Sequence, residues 1–238
     1  MELRNLQTGN LVRKIRGENG MQAVAFRHGG KEFAVCGFPS TVSIYNTWTG
    51  QLVRTLRAHD TSNRAIRFSP DGSLLAVAGR AGMIRVWNAE TWEVVHEFSW
   101  DGRPVNALAF NSTGTQLAVG GDGPNIILWN MKNNKRSVLQ ERPGKTFSLE
   151  FCGENLLVSG ESDNVIRFWN LASKTYFAHT AGPEGHRGTI AVLVYDPTKN
   201  LLISGSFDAT VRSWPIPKLL ELERGHLTHL GNKTEPPM

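Results

Sequence analysis

The sequence predicts an all-β fold assembled from five copies of one four-stranded antiparallel unit, and three observations predict it. Five segments end alike: VSIYN at 42–46, IRVWN at 84–88, IILWN at 126–130, IRFWN at 166–170 and VRSWP at 211–215. Their aromatic residues, Tyr45, Trp87, Trp129, Trp169 and Trp214, are spaced by 42, 42, 40 and 45 residues, and a fixed period of this length marks a repeated structural unit. Between turn signals the apolar residues alternate with a period of two, and no stretch before residue 216 shows helical spacing.

Each element follows in order. The first strand of every unit ends on an aromatic residue: AVAF to Phe26, AIRF to Phe68, ALAF to Phe110, SLEF to Phe151 and VLVY to Tyr195. A reversal comes next, clearest in SPDG at 69–72, where Pro and Gly suit a tight turn. A short apolar second strand then ends in glycine, as FAVCG, LLAVAG, QLAVGG, LLVSG and LLISG. The third strand carries the landmark aromatic, and a fourth follows in QLVRTLRA, EVVHEF and KTYFAH. Trp48 and Trp92 fall in the turn into that fourth strand, at one shared position, as caps. Trp100, in the loop SWDGRP, is the tryptophan expected at the surface.

This pattern resembles the WD repeats of the G-beta-like β-propeller family, over about residues 1–215. A single four-stranded sheet cannot bury both its faces, whereas sheets stacked radially can. The resemblance therefore implies a β-propeller of four-stranded antiparallel blades with five repeats. It also implies a buried tetrad of His, Ser or Thr, Asp and Trp within a blade. The last repeat matches in full with His186, Ser204, Asp208 and Trp214. The fourth keeps Ser159, Asp163 and Trp169 without a matching His, and the second keeps His59 and Trp87 but has Ala81 in place of the Asp. Gly123 and Pro39 stand at the Asp position of the third and first. The aspartate of the name-giving dipeptide is asparagine at 46, 88, 130 and 170.

The two ends raise the question of closure. NLQTGNLVRKIR at 5–16 is a near copy of NTWTGQLVRTLRA at 46–58 and reads as a fourth strand. The last repeat has three strands up to Trp214, followed by Pro215 and Pro217, and proline cannot donate to a ladder. The N-terminal strand is expected to complete the last blade as a clasp. A closed five-bladed ring, an open arc whose missing strands come from a partner or a second copy, and a piece of a longer chain all remain open. Residues 216–238 are set apart as a tail, with a short helix over 217–224 and a flexible end.

Composition narrows the function. The chain has 238 residues and a net charge of +5, with no lysine- or arginine-rich block of the density of a nucleic-acid tail. Cys36 and Cys152 each sit beside an apolar strand, as buried free thiols do in a reducing compartment. The N-terminus has no apolar signal core and no apolar run approaches a membrane span, so a soluble intracellular protein of the cytoplasm is expected, with the nucleus as the alternative. His226 and His229 lie three apart in HLTH with no cysteine or carboxylate beside them, so no metal site is expected. GGDGPN at 120–125 lacks the Lys-Ser/Thr of a phosphate loop. Ser204, His186 and Asp208 match a hydrolytic triad in composition only, because the resemblance makes them structural. No catalytic residue, cofactor or enzyme activity is expected.

What remains is binding. The resemblance implies a partner face where the loops into first strands meet the turns between second and third strands. Two repeat positions map there: Gln22, Arg64, Asn106, Phe147 and Ala191, and Phe38, Arg80, Asp122, Ser162 and Phe207. The expected partner-binding set is Phe38, Arg64, Arg80, Asp122, Phe147, Ser162 and Phe207. Aromatic residues and arginine anchor interfaces, so the face suits a protein or peptide with an acidic residue. The alternative for the phenylalanines is to fold inward and cap the channel. A second function class, an RNA- or ribonucleoprotein-associated subunit, would use VRKIRG, RAIRF and KNNKRS as a basic face. Self-association is expected if the ring is open.

Overall fold

A computed structural model describes residues 1–15, 20–38, 40–100, 102–139, 144–179 and 185–216. Five antiparallel sheets follow one another along the chain, each a meander of neighbouring strands. The first blade is β3 (Met21–Phe26), β4 (Glu32–Gly37), β5 (Thr41–Asn46) and β6 (Leu52–Arg57). The second is β7 (Asn63–Phe68), β8 (Leu74–Gly79), β9 (Met83–Asn88) and β10 (Val94–Ser99). The third is β11 (Val105–Phe110), β12 (Gln116–Gly121), β13 (Ile127–Asn130) and β14 (Arg136–Val138). The fourth is β15 (Thr146–Phe151), β16 (Leu156–Glu161), β17 (Ile166–Asn170) and β18 (Thr175–His179). The fifth has three strands among the described residues, β19 (Ile190–Asp196), β20 (Leu201–Ser206) and β21 (Val211–Pro215).

The N-terminal strand does not complete the last blade. Glu2–Arg4 (β1) and Leu11–Lys14 (β2) pair with each other as a separate hairpin. That hairpin lies on the first blade, where Met1, Leu3 and Ile15 pack against Phe33, Val35 and Tyr45. The repeat itself explains the difference. Asn5 accepts hydrogen bonds at Oδ1 from the backbone N–H groups of Gln7 and Thr8, at 2.9 Å each. Asn46 does the same for Trp48 and Thr49, and Asn88, Asn130 and Asn170 repeat it in their blades. The asparagine that replaces the family's aspartate is thus the side chain that turns the third strand into the fourth. By the same bond, β1 and β2 are the third and fourth strands of a blade preceding the first.

The core lies between blades. Ala34, Cys36, Val42 and Ile44 of the first meet Ile66, Phe68, Leu75, Val77 and Trp87 of the second. The later interfaces repeat this arrangement, with Trp129, Trp169 and Trp214 in the landmark positions. Each blade thus shows small and β-branched residues to the next and larger ones to the one before. Ile216 is buried in the last interface, and the rest of the expected tail, 217–238, lies outside the described residues, as do Pro39, His226 and His229.

Two tryptophan expectations are corrected. Trp100 is buried at 5% exposure, because Gly123 leaves a slot in which an added Cβ would stand 2.7 Å from its indole. Trp48 and Trp92 do not share a position. Trp48 is exposed, while Trp92 sits two places further along, where the first blade has Gly50, with φ of 63° against 69°.

Candidate functional site

The face expected to bind a partner is built by one backbone device used five times. In each first strand the ladder slips by one residue: between Met21 and Ala23, Asn63 and Ala65, Val105 and Ala107, Thr146 and Ser148, and Ile190 and Val192. The extra residue of a bulge is left out of the ladder and re-aimed. Those extra residues, Gln22, Arg64, Asn106, Phe147 and Ala191, all line one central cavity of about 250 Å³, with Arg67 deeper on the second blade.

The second ring of positions is pinned equally regularly. The backbone N–H groups of Phe38, Arg80, Asp122, Ser162 and Phe207 donate to the carbonyls of Gly20, Ser62, Pro104, Lys145 and Thr189, at 2.9–3.0 Å. Each acceptor is the residue just before a first strand, so each turn is tied to the mouth of its own blade. The closeness of the two segments accounts for the glycine ending the second strand in the first three blades, where the fourth and fifth have Glu161 and Ser206. A Cβ on Gly37 or Gly121 would lie 2.1 Å from the carbonyl oxygen of Gly20 or Pro104.

Side chains join the two rings. Arg64 donates to Asn106 Oδ1 at 2.7 Å, and Asn106 Nδ2 donates to Asp122 Oδ1 at 2.9 Å. Lys145 Nζ lies 3.0 Å from Asp122 Oδ2. Burial works against the Asp122 carboxylate, but the hydrogen bonds from Asn106 and Lys145 outweigh it and hold its pKa below the usual range. Asp122 is thereby neutralised within the face, while among the described residues Arg64 and Arg80 form no ion pair. Phe147 and Phe207 meet edge-on, their centroids 6.5 Å apart. Phe207 is 72% exposed and Phe38 66% exposed, so neither folds inward over the cavity. Phe38 instead lies on Gly20 in the first blade, separate from the Phe147–Phe207 pair of the fourth and fifth. Ser162 turns its hydroxyl to accept from the Lys145 backbone N–H at 3.0 Å.

The last blade places His186, Ser204, Asp208 and Trp214 in one chain of hydrogen bonds. Trp214 Nε1 donates to Ser204 Oγ at 2.8 Å, Ser204 Oγ lies 2.7 Å from His186 Nε2, and His186 Nδ1 lies 3.0 Å from Asp208 Oδ2. Asp208 also accepts from Thr210 Oγ1 and the Arg187 backbone N–H, and these bonds hold its pKa well below the usual carboxylate range. Ser204 is fully buried, and its hydroxyl bridges the indole and the imidazole.

The fourth blade carries a network that the residue pattern did not reveal. Trp169 Nε1 donates to Ser159 Oγ at 2.9 Å, and Ser159 Oγ donates to Glu161 at 2.7 Å. Arg167 then bridges Glu161 and Asp163, at 2.6 and 2.7 Å. An acid–arginine bridge thus stands where the last blade has a histidine. The available signal was the arginine two residues before the landmark tryptophan, shared by Arg85, Arg167 and Arg212. In the second blade Val77 occupies the serine position, and His59 Nε2 reaches only its carbonyl, at 3.4 Å. Among the described residues no group of three or more His, Cys, Asp or Glu side chains is gathered as for a metal ion, and no helix is long and apolar enough to cross a membrane.

Comparisons with known proteins agree with this architecture. Residues 40–137 match the family model for the second beta-propeller of WD repeat-containing protein 75, and residues 177–215 match the WD domain, G-beta repeat. Polycomb protein esc of Drosophila melanogaster is 32% identical over 59 residues, which cover 25% of this chain and 14% of that protein. The solved structure of U3-55K superposes with a TM-score of 0.78 at 18% identity, over 85% of this chain and 63% of that one. A chain in the crystal structure of the mitotic checkpoint complex gives 0.79 at 16% identity, over 90% and 67%. At such identities the two structures speak for the fold alone.

Proposed function

We propose that this chain, which belongs to the WD-repeat β-propeller family, is a non-catalytic scaffold that binds a protein partner at the mouth of its central cavity. WD-repeat propellers are generally interaction scaffolds. The observation that carries the reading is the edge-on Phe147–Phe207 pair, with Phe207 exposed and Phe147 half-buried beside a cavity near which Arg64 and Arg80 form no ion pair among the described residues. The pair offers a hydrophobic anchor point, and the two guanidinium groups favour a carboxylate on the ligand. The recognised element is a peptide or loop with an apolar side chain for the pair and an acidic residue for Arg64.

Selection from a library of random short peptides tests this. Enriched sequences should place an acidic residue near an aromatic or aliphatic one. Phe207→Ala should cost more than about 1 kcal/mol of affinity, the level that marks an interface anchor. Enrichment of peptides without acidic residues, or binding indifferent to both Phe207→Ala and Arg64→Ala, would overturn the reading.

A second reading, an RNA- or ribonucleoprotein-associated subunit, is favoured by the same cations. Arg103 and Arg187, exposed in loops leading into first strands, add to Arg64 and Arg80 on this face. Affinity for single-stranded RNA that falls steeply with salt would support it. Weak salt dependence with peptide binding supports the first reading.

A further inference from the structure

The bulge that opens β7 gives the second blade an arrangement absent from the other four. Residues three apart on a regular strand point to opposite faces. The slip between Asn63 and Ala65 re-aims Arg64, so that Arg64 and Arg67 of one strand line the same central cavity. The positions equivalent to Arg67, one before the aromatic that ends each first strand, hold Ala25, Ala109, Glu150 and Val194. Neither guanidinium is neutralised. Arg64 donates to Asn106 Oδ1 at 2.7 Å and Arg67 to the Ile66 carbonyl at 3.1 Å, both uncharged acceptors. Neither forms an ion pair among the described residues, and the described residues lining the cavity include no Asp or Glu. The Arg67 charge acts on Glu150 of the fourth blade, but burial outweighs it and pushes that carboxyl up to about 7. Small side chains on the cavity wall, Ala23, Ala65, Ala107 and Ala191, leave room before the two arginines, and Gln22 adds an exposed amide on the first blade's side.

We infer that Arg64 and Arg67 form a binding site for the dianionic phosphate group of a phosphomonoester. The inference deepens the proposed function and rests on that reading for the cavity as the place of binding; it names the acidic group that the cavity takes. Two half-buried guanidinium groups on one wall repel each other, and a single carboxylate would neutralise only one of them. A phosphomonoester carries a charge of about −1.5 to −2 and three acceptor oxygens, enough to engage both forks. Each guanidinium uses one N–H donor in the bonds already described, which hold it in place and leave the others for a ligand. At about 250 Å³ the cavity lies just below the roughly 300 Å³ at which sites for drug-sized ligands begin. It therefore suits one phosphate group on a small carrier and not a nucleotide or a stretch of RNA. The carrier is either a phosphorylated side chain of a protein partner or a free phosphomonoester, and both present the same group.

The test titrates the full chain with inorganic phosphate by calorimetry at constant ionic strength, with acetate as the monoanion for comparison. The expected result is saturable binding of one phosphate per chain, with acetate bound more weakly. Arg67→Gln should weaken phosphate binding about tenfold or more, as loss of a charge-assisted partner does, and Arg64→Gln likewise. Lys199→Gln, which removes a cation from the exposed turn between β19 and β20, should leave it unchanged. Thermal melts establish that the variants fold, and glutamine fits at both half-buried positions. A phosphoserine peptide and free phosphoserine separate the two sources. Tighter binding of the peptide assigns the group to a protein partner, and equal binding assigns it to a free phosphomonoester. Absence of saturable phosphate binding up to millimolar concentration, acetate bound as tightly, or binding that either arginine substitution leaves unchanged overturns the inference. Single-stranded RNA bound more tightly than phosphate and the phosphoserine peptide, with the same loss in Arg67→Gln, would assign the two cations to a polyanion and also overturns it. Inorganic phosphate does not depend on the Phe147–Phe207 pair, so its failure to bind leaves the peptide reading standing. Peptide binding indifferent to Phe207→Ala would likewise leave the phosphate result standing.

Discussion

Replacing Glu150 by glutamine should change how stability depends on pH. Glu150 lies on β15, facing the interface between the fourth and fifth blades, and burial pushes its carboxyl pKa up from 4.5 to about 7. The Arg67 charge and the Tyr195 backbone N–H favour the ionised form without offsetting burial. Between pH 4.5 and about 7 the folded chain therefore holds a proton that the unfolded chain releases. The unfolded state binds fewer protons there, so stability falls as pH rises through this window. At about 1.4 kcal/mol per pH unit, the loss is on the order of 3 kcal/mol above pH 7. Glutamine cannot ionise, so the variant escapes this loss. Urea denaturation followed by tryptophan fluorescence, for both proteins across the window, isolates the effect, because every other titrating group cancels in the difference. The stability difference, variant minus wild type, should rise by about 3 kcal/mol from acid to neutral pH. A difference that stays flat across the window would refute the account of Glu150 as a carboxyl held neutral by burial.

Other consequences can be measured independently. Gly37→Ala places a Cβ where 2.1 Å separates it from the Gly20 carbonyl oxygen, and neither backbone segment can yield without moving the mouth of the first blade. A loss of about 1–3 kcal/mol is expected in denaturant melts, the usual cost of overpacking. Cys36 and Cys152 are buried thiols, with burial pushing Cys36 up to about 12 and Cys152 higher still. Both should resist alkylation in the native chain at mildly alkaline pH and react at once in urea, as mass spectrometry would show.

Much of the fold was legible because the repeat signals are local. Alternation, turn residues and the landmark aromatics are each set within a few neighbours, so nineteen of the strands among the described residues fell into five blades whose spacing could be counted. The place of the N-terminal segment was not legible. Its resemblance to residues 46–58 correctly marked a turn into a fourth strand, and Asn5 makes the bonds of that turn. Which blade such a strand joins is a long-range choice, however, settled by Met1, Leu3 and Ile15 fitting over Phe33 and Tyr45. The rim residues were found by counting back from an aromatic, although the bulge that aims them leaves no mark in the alternation. Trp100 was misplaced because a loop tryptophan reads as exposed unless its slot is known, and the slot is made by Gly123 from another turn. The Glu161–Arg167–Asp163 bridge was hidden for a different reason: a charged residue in an apolar strand reads as solvated unless its buried partner is identified.

The hydrogen-bonded networks are not spread evenly among the blades, and their placement predicts a gradient of local stability. The complete tetrad lies in the fifth blade, which among the described residues has three strands and one neighbour to pack against. His186 precedes β19, Ser204 is on β20, Asp208 is in the following turn and Trp214 is on β21, so the network staples every strand of that blade together. Ser159 makes the equivalent bond to Trp169 in the fourth blade, which is held between neighbours on both sides. Ser204→Ala and Ser159→Ala each leave a buried indole N–H without its acceptor, at a cost of about 1–3 kcal/mol. The distribution of that loss should differ. The fifth blade can open by giving up one interface, so Ser204→Ala should lower hydrogen-exchange protection in β19–β21 while β7–β10 keep theirs. The fourth blade can open only by giving up two, so Ser159→Ala should lower protection across its neighbours as well, as part of a larger cooperative unit. Equal and chain-wide loss of protection in both variants would mean that the blades open as one body and that the tetrad plays no special part in holding the fifth.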